Sequence, residues 1–209
     1  AKLGDKAVLD DKVTIDGRPI DLKRYSEVET KVLILNKQAG IICSNKDEEG
    51  RKSVFDFLPE NTRWVMVGRL DLNTSGLLLF TNNGDLANKL MHPSSEIDRE
   101  YAVRVLGKVE NDHIKELTSG VELEDGFAKF HRVTLGGGEG ANRWYHVVVR
   151  EGRKREVRRL WEALEFKVSR LIRTRFGDIR LPDNLRANQS EYLKPKQVEA
   201  LMKSVNLKE

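Results

Sequence analysis

The chain has 209 residues, of which 39% are hydrophobic and 33% charged, a composition typical of a globular protein with one substantial core. Its single cysteine, Cys43, excludes an internal disulfide framework and a cysteine metal site, and its four histidines are scattered. The apolar runs are too short to cross a bilayer. We therefore expect a cytoplasmic protein that binds neither a metal nor a membrane.

The net charge of +4 is unevenly distributed. Residues 150–180 contain 11 Lys or Arg and 5 Asp or Glu, a local charge of +6, so the rest of the chain sums to −2. This concentration indicates either a footprint for a polyanion or a solvated basic face. Charge alone does not decide between them.

The N-terminal half predicts short strands separated by turns. An Asp16-Gly17 pair marks a hairpin. The elements expected after it are, in order, a strand over 31–37, a turn over 38–40, a strand over 41–44, one helical turn over 54–58, strands over 64–67 and 77–80, and a short amphipathic helix over 85–91.

The C-terminal half alternates strands with helices. We expect a strand over 99–105 with Tyr101, Val103 and Val105 on one face, and then a helix over 111–117 capped by Asn111 or Asp112. Two strands flank Glu124-Asp125-Gly126, and a flexible glycine-rich loop follows over 136–140. The remaining elements are a strand over 144–149, a helix over 157–164, a strand over 167–176 and an amphipathic helix over 191–205. Strands outnumber crossover helices, so we predict an α+β fold with one mixed, largely antiparallel sheet flanked by helices.

The predicted helix near residue 160 carries two stripes. The core-facing stripe has the spacing i, i+3, i+4 and i+7 and consists of Val157, Leu160, Trp161 and Leu164. The second has the same spacing and consists of Arg155, Arg158, Arg159 and Glu162. The arginines therefore leave a helix that is itself anchored.

A polar turn between two apolar runs holds Asp71. Gly68 and Gly76 bracket this turn, as sharp reversals and close backbone approach require. The turn lacks the spacing of a phosphate cradle, a nucleophile elbow or a metal site. Taken alone it indicates a positioned carboxylate, and an aspartate in such a turn is usually a cap or a turn former.

Four separated motifs, in family order, resemble those of the pseudouridine synthases. They are Leu35-Asn36-Lys37-x-x-Gly40; Gly68-Arg69-Leu70-Asp71-x-x-Thr74-Ser75-Gly76-Leu77-Leu78; His92-Pro93-Ser94 with Arg99-Glu100-Tyr101; and the run from Glu151 to Leu160 with Ser169-Arg170-Leu171-Ile172-Arg173 and Gly177. The pattern is most similar to the ribosomal RNA branch, and within it to large-subunit enzymes. Gln38 stands where the family has proline and Lys154 where it has asparagine.

The resemblance implies isomerisation of a uridine in large-subunit (23S) ribosomal RNA to pseudouridine, without a cofactor. It makes Asp71 either the nucleophile or the group that controls abstraction at C2′. Tyr101 would stack on the target base and handle a proton. Arg158 would hold the Asp71 carboxylate bidentately and orient it.

The target base must leave its stack, so the resemblance also implies contacts with RNA. Arg69 would fill the vacated space by stacking, although a structural salt bridge explains it equally well. Lys37 is either structural or RNA-facing, and Leu171 is either an apolar wall of the pocket or plain core. The remaining candidates would hold phosphates: Arg99, Arg153, Arg155, Arg159, Arg170 and Arg173.

The N-terminal segment resembles the tail of the small alpha-L RNA-binding domain that precedes this branch of the family. We therefore expect residues 1–24 to be a remnant of that domain with its linker, and residues 25–209 to be the catalytic domain of a monomer. The chain starts with Ala1 rather than Met, which suggests a trimmed N-terminus. An ordinary N-terminal hairpin is the alternative.

Three functions are open at this point. The leading one is pseudouridine formation in 23S ribosomal RNA; the others are the same reaction on small-subunit (16S) RNA, and a non-catalytic protein that binds ribosomal RNA or assists ribosome assembly. A hydrolase built on paired carboxylates is disfavoured, because no spacing in the sequence places a second acid near Asp71.

Overall fold

The computed structural model describes residues 11–20, 29–44, 49–138 and 140–207. Contacts divide the chain into two compact units, Ala1–Thr30 and Lys31–Glu209. In the first unit, β1 (Val13–Ile15) and β2 (Arg18–Ile20) pair antiparallel as the predicted hairpin. The predicted domain boundary between residues 24 and 25 lies outside the described residues.

The second unit is built on one sheet. Its strands are β3 (Val32–Lys37), β4 (Val65–Val67), β5 (Ser75–Thr81), β6 (Arg99–Leu106), β7 (Val121–Leu123), β8 (Gly126–Ala128), β9 (Arg132–Gly137), β10 (Asn142–Val149), β11 (Lys167–Phe176), β12 (Ile179–Arg180) and β13 (Ser190–Tyr192). Its α-helices are α1 (Gly84–Met91), α2 (Asn111–Ser119), α3 (Glu156–Glu162) and α4 (Pro195–Ser204), and short 3-10 helices cover Val54–Phe57 and Pro93–Ser95.

The strand order confirms the predicted fold class. Within the described ranges, nine strands form a sheet of order β13-β3-β5-β11-β6-β10-β9, with β4 added to β5 and β12 to β11. The β5–β11 pair is parallel and the other pairs are antiparallel. Strands β7 and β8 form a separate hairpin. None of the helices in the described ranges has the length and apolar character needed to cross a membrane.

Both faces of the central strands are buried, which explains their continuous apolar runs. In β3, Val32 and Ile34 pack with α1 and α4, whereas Leu33 and Leu35 pack on the opposite face with Val54. A third cluster around Trp161 joins α2 and α3 to β6 and β10. The sheet therefore lies between helices on one face and packed loops and helices on the other.

Several local predictions were wrong because tertiary pairing overrode the local pattern. Residues 41–44 form only an isolated bridge, between Ile42 and Ser53. The C-terminal helix begins at Pro195, since residues 190–192 pair with β3 and proline is well suited to a first helical turn.

Two further differences lie in β9 and at the start of α2. Residues 136 and 137 end β9 instead of forming a loop. The N-cap of α2 is Glu110, one residue before Asn111 and two before Asp112, the two predicted caps. Both differences shift a boundary and leave the order of elements unchanged.

Gly76 sets the spacing between β5 and β11. Its φ is +102°, and a Cβ at this position would lie 2.3 Å from the carbonyl oxygen of Arg173. Arg173 is paired with Gly76 on one side and with Tyr101 on the other. Three strands therefore meet in register just after the Asp71 turn, and the close approach explains why the turn ends in glycine.

We predict that Gly76→Ala lowers the free energy of unfolding by about 3 kcal/mol or more, because the methyl group would force β5 away from β11. Gly68→Ala is the matched control: its φ is +72° but nothing lies within 4 Å of a Cβ there, so only about 1 kcal/mol of backbone strain is expected. Urea denaturation of both variants measures the difference. Equal losses would contradict the steric explanation.

Candidate active site

A cavity of about 320 Å³ opens where β5, β11 and β6 lie in register. Asp71 from the β4–β5 turn, Tyr101 from β6 and Leu171 from β11 line it. Cationic side chains also contribute to its wall and rim: Arg69, Arg99, Arg153, Lys154, Arg155 and Arg173. The structure thus brings the predicted nucleophile and the predicted tyrosine into one cavity.

The Asp71 turn is held by two buried cations. The Lys37 ammonium donates to the carbonyl oxygens of Asp71 at 3.2 Å, Leu72 at 3.3 Å and Thr74 at 2.8 Å. The Arg158 guanidinium donates to the carbonyl of Asn73 at 2.9 Å. Four successive carbonyls therefore accept hydrogen bonds from charged donors, which fixes the backbone that carries the partly buried Asp71.

Lys37 is a structural residue. Its side chain is 0% exposed, and its ammonium also donates to the carbonyl of Gln38 at 3.1 Å. Burial lowers the pKa of Lys37, and the nearby Cys43 and Asp71 offset part of that effect. Its donors are surrounded by carbonyls, which favours the structural alternative, and contact of Lys37 with RNA stays a prediction.

Arg158 contacts the turn and not the carboxylate. The residue is 8% exposed, and its second hydrogen bond goes to the carbonyl of Val168 at 3.1 Å. Burial and Arg155 lower the pKa of Arg158, whereas the charge of Asp71 raises it. The predicted bidentate pair is therefore replaced by an electrostatic interaction and a backbone hydrogen bond, through which Arg158 positions Asp71.

Two predicted phosphate ligands, Arg99 and Arg173, are internal. Arg99 donates to the carbonyls of Ile97, Arg150 and Glu151, and Arg173 donates to the carbonyl of Leu77 at 2.7 Å. Both guanidinium groups lie over the Phe176 ring, 5.3 Å and 5.5 Å from its centroid. These arginines form part of the cavity wall, and their predicted contact with RNA stays a prediction.

Leu171 satisfies both of its alternatives. It is buried within the Trp161 cluster, and it also lines the cavity. A core residue at the edge of a cluster can serve as an apolar wall without being exposed.

Arg153 and Arg159 hold the β7–β8 hairpin. Arg153 donates to the carbonyls of Asp125, Gly126 and Phe127 at 3.3, 3.1 and 2.9 Å. Arg159 makes a two-point pair with the Asp125 carboxylate at 2.7 and 2.9 Å. Both arginines thus make internal contacts in this structure, and their role as phosphate ligands stays a prediction.

The cations that face solvent are fewer than predicted. Arg155 precedes α3 and pairs with Glu162 at 3.0 Å. Arg69 and Lys154 are exposed at the cavity rim, and Arg170 is exposed on β11. Lys154 was missed as a candidate contact, although it stands within the basic motif before α3.

Glu156 is the site residue that sequence reasoning missed. It lines the cavity, is 5% exposed, and its Oε2 has no hydrogen-bond partner among the described residues. Burial and the nearby Glu151 raise the pKa of Glu156 to about 7, against the opposing charge of Arg153. Glu156 lies four residues before the core residue Leu160, and this spacing could have placed it on the inner face of the helix.

We predict that Lys37→Met lowers the free energy of unfolding by about 3 kcal/mol, because the buried carbonyl of Thr74 and the partly buried carbonyls of Asp71 and Leu72 would lose a charged donor. Hydrogen exchange should become faster at the amides of residues 71–76. Lys167→Met, at the exposed start of β11, is the matched control and should change stability by less than about 0.5 kcal/mol. Wild-type rates of hydrogen exchange at residues 71–76 in Lys37→Met would contradict the conclusion that Lys37 holds the turn.

We predict that Glu156→Gln raises the melting temperature at pH 8.5. The folded-state pKa of about 7 exceeds the ordinary 4.5, so the folded protein favours the protonated carboxyl and loses stability as the pH rises between these values. Gln stays neutral, and its advantage should grow to at most about 3 kcal/mol above pH 7 and vanish near pH 4.5. Calorimetry across this pH range measures the gain in stability. The exposed Glu122→Gln is the control for the loss of a surface charge. A gain that does not depend on pH would contradict the explanation.

Residues 31–163 match the family model of RNA pseudouridylate synthase. The chain is 54% identical over 189 residues to ribosomal large subunit pseudouridine synthase B of Yersinia pestis, with 88% of this chain and 59% of that protein covered. The protein of the same name from Escherichia coli K12 is 53% identical over 189 residues, with coverage of 88% and 65%. The chain thus spans about three fifths of the length of these curated relatives.

Solved structures give the same assignment. A crystal structure of pseudouridylate synthase superposes with a TM-score of 0.73 at 28% identity, covering 83% of this chain and 74% of that one. The structure of an H/ACA RNP bound to a substrate RNA has a chain that shares the fold, with a TM-score of 0.56 at 21% identity over 75% of this chain and 50% of that one. Because the family model covers more than half of its residues, the chain belongs to the RNA pseudouridylate synthase family.

Proposed function

We propose that this chain converts a uridine of 23S ribosomal RNA to pseudouridine, with Asp71 as the reacting carboxylate and no cofactor. The observation that carries the proposal is the placement of Asp71, on a turn clamped by Lys37 and Arg158, in the cavity that also contains Tyr101. The names of the relatives, large subunit pseudouridine synthases at 50–54% identity, support the choice of substrate.

The proposed reaction is an isomerisation. The N1–C1′ bond of the uridine breaks, the uracil turns, and a C5–C1′ bond forms, while a proton leaves C5 and N1 gains one. Asp71 either attacks C1′ or controls abstraction at C2′, and both routes use the ionised carboxylate. Atoms and electrons balance within the substrate, so no oxidant or energy source is needed.

Tyr101 and Leu171 shape the space for the base in this proposal. Tyr101 is partly buried on β6, and its ring would stack on the extruded uracil. Its hydroxyl would relay a proton, accepting one at oxygen only as it releases its own. Leu171 supplies an apolar wall on the neighbouring strand.

The RNA backbone would lie along the exposed cations at the cavity rim. Arg155 and Lys154 would contact phosphates there, and Arg170 would contact one from its exposed position on β11, outside the cavity lining. The exposed Arg69, two residues before Asp71, would occupy the space that the base vacates. We also propose that the chain acts on ribosomal RNA as a monomer in the cytoplasm.

The N-terminal unit would belong to a separate RNA-binding domain. We infer that residues 1–24 are a remnant of an alpha-L domain and its linker, and that the catalytic domain follows from residue 25. The family model begins at residue 31, which fits that division. The β1–β2 hairpin is compatible both with this domain and with an ordinary N-terminal hairpin.

We predict that Asp71→Asn lowers the rate of tritium release from 23S transcripts labelled at C5 of uridine to below about one thousandth of wild type. The variant should keep its melting temperature and its affinity for RNA, because the turn is held by backbone contacts that the substitution leaves in place. Asp178→Asn, exposed outside the cavity, is the matched control and should keep full activity.

The same assay decides between the open functions. Substantial release by Asp71→Asn would refute the role of Asp71. Release from 16S transcripts alone would move the activity to the small subunit. Binding of wild type to both transcripts without any release would leave a non-catalytic RNA-binding protein.

A further inference from the structure

A second cavity, of about 600 Å³, lies beside the first and shares part of its wall. The shared residues are Met91, Arg99, Glu151, Gly152, Arg153 and Glu156. Phe127, Lys129, His131 and Arg150 line the second cavity alone. An RNA strand that places one nucleotide in the first cavity therefore has room for a neighbouring nucleotide in the second cavity.

The aromatic group of this second cavity is unusually exposed. Phe127 lies on β8 and is 56% exposed. Its ring rests on the C-terminus of α2, because a Cβ at Gly120 would lie 2.2 Å from the ring atom Cζ. The ring is thus positioned by contact with a residue that has no side chain, while much of its surface stays open to a ligand.

The hairpin that carries Phe127 is tied to the wall between the cavities. Arg153 lines both cavities and donates to the carbonyl of Phe127 at 2.9 Å. The Arg159–Asp125 pair fixes the turn of the same hairpin. The ring therefore has a defined position relative to the reacting cavity.

The charge around the second cavity suits a phosphodiester. Two of its three acids are ion-paired, Glu151 with Arg153, and Glu96 with Arg150 at 3.9 Å, whereas the third, Glu156, is buried in the shared wall. Lys129 is exposed next to the hairpin and has no ion pair among the residues that the structure describes. The unpaired charge near the ring is therefore positive.

We propose that the second cavity binds a nucleotide flanking the target uridine, with its base stacked on Phe127 and its phosphate near Lys129. The inference rests on the proposed function. Stacking on an aromatic ring tolerates every base, so this contact would strengthen binding without reading sequence. Exposed aromatic and cationic side chains together are the usual platform for single-stranded nucleic acid.

The first test is binding of a stem-loop from 23S RNA that contains the uridine modified by the wild-type chain. Phe127→Ala should weaken binding about 10-fold and leave kcat at saturating RNA within about 2-fold. Phe127→Trp should preserve binding. Leu135→Ala removes another exposed apolar side chain, 61% exposed on β9 and outside both cavities, and should have no effect.

The second test locates the stacked base. Stem-loops with one abasic nucleotide at each position flanking the uridine are compared on wild type and Phe127→Ala. At one position the abasic change should weaken wild type about 10-fold and leave Phe127→Ala unaffected, since both remove the same contact.

Two results would overturn the subsite. The first is that Phe127→Ala binds the stem-loop with wild-type affinity. The second is that every abasic substitution weakens binding equally in wild type and in Phe127→Ala. Absence of tritium release by wild type from every 23S transcript would instead overturn the proposed function, and the flanking-nucleotide assignment with it.

Discussion

The structure depends on how four consecutive carbonyls of the Asp71 turn are satisfied. A turn outside helix and sheet has no regular backbone partners, and buried carbonyls without donors are costly. Here Lys37 and Arg158 supply charged donors to all four, and the backbone amides of Gly40 and Thr74 also donate to the carbonyls of Leu72 and Asp71. Charged donors make stronger hydrogen bonds than neutral ones, so the turn is held firmly although it is irregular.

This clamp joins two separate cores. Lys37 ends β3, whose side chains belong to the clusters on either face of the first part of the sheet. Arg158 leaves α3, which packs through Leu160 and Trp161 in the cluster around β6 and β10. The position of Asp71 relative to Tyr101 therefore depends on both cores, and a defect in either would be felt in the cavity.

The sequence predicted most of the fold and the central part of the site. Period-two and continuous apolar patterns located β3, β5, β6, β10 and β11, since burial of these strands dominates their composition. The predictions that failed concern segments whose state is set by distant partners. Residues 190–192 have a polar pattern that also suits a helix, and only pairing with β3 makes them a strand.

The roles of individual cations could not be predicted in the same way. Sequence reasoning counts charges but does not show which of them bond to the protein itself. Hydrogen bonds to internal carbonyls occupy the side chains of Lys37, Arg99 and Arg173. Contacts with the β7–β8 hairpin occupy those of Arg153 and Arg159. The slope of RNA affinity against salt should therefore reflect the exposed rim cations and not the whole basic segment.

Glu156 is a buried carboxyl group in the wall that the two cavities share. A carboxyl group held out of water opposes folding at neutral pH, and it persists only where its surroundings or its function demand it. Arg99 interacts electrostatically with Glu156 and lines both cavities, as Glu156 itself does. The wall between the cavities thus combines a group that exchanges a proton near neutral pH with fixed positive charges. Since burial raises the pKa of Glu156 to about 7, the net charge of this wall changes near neutral pH.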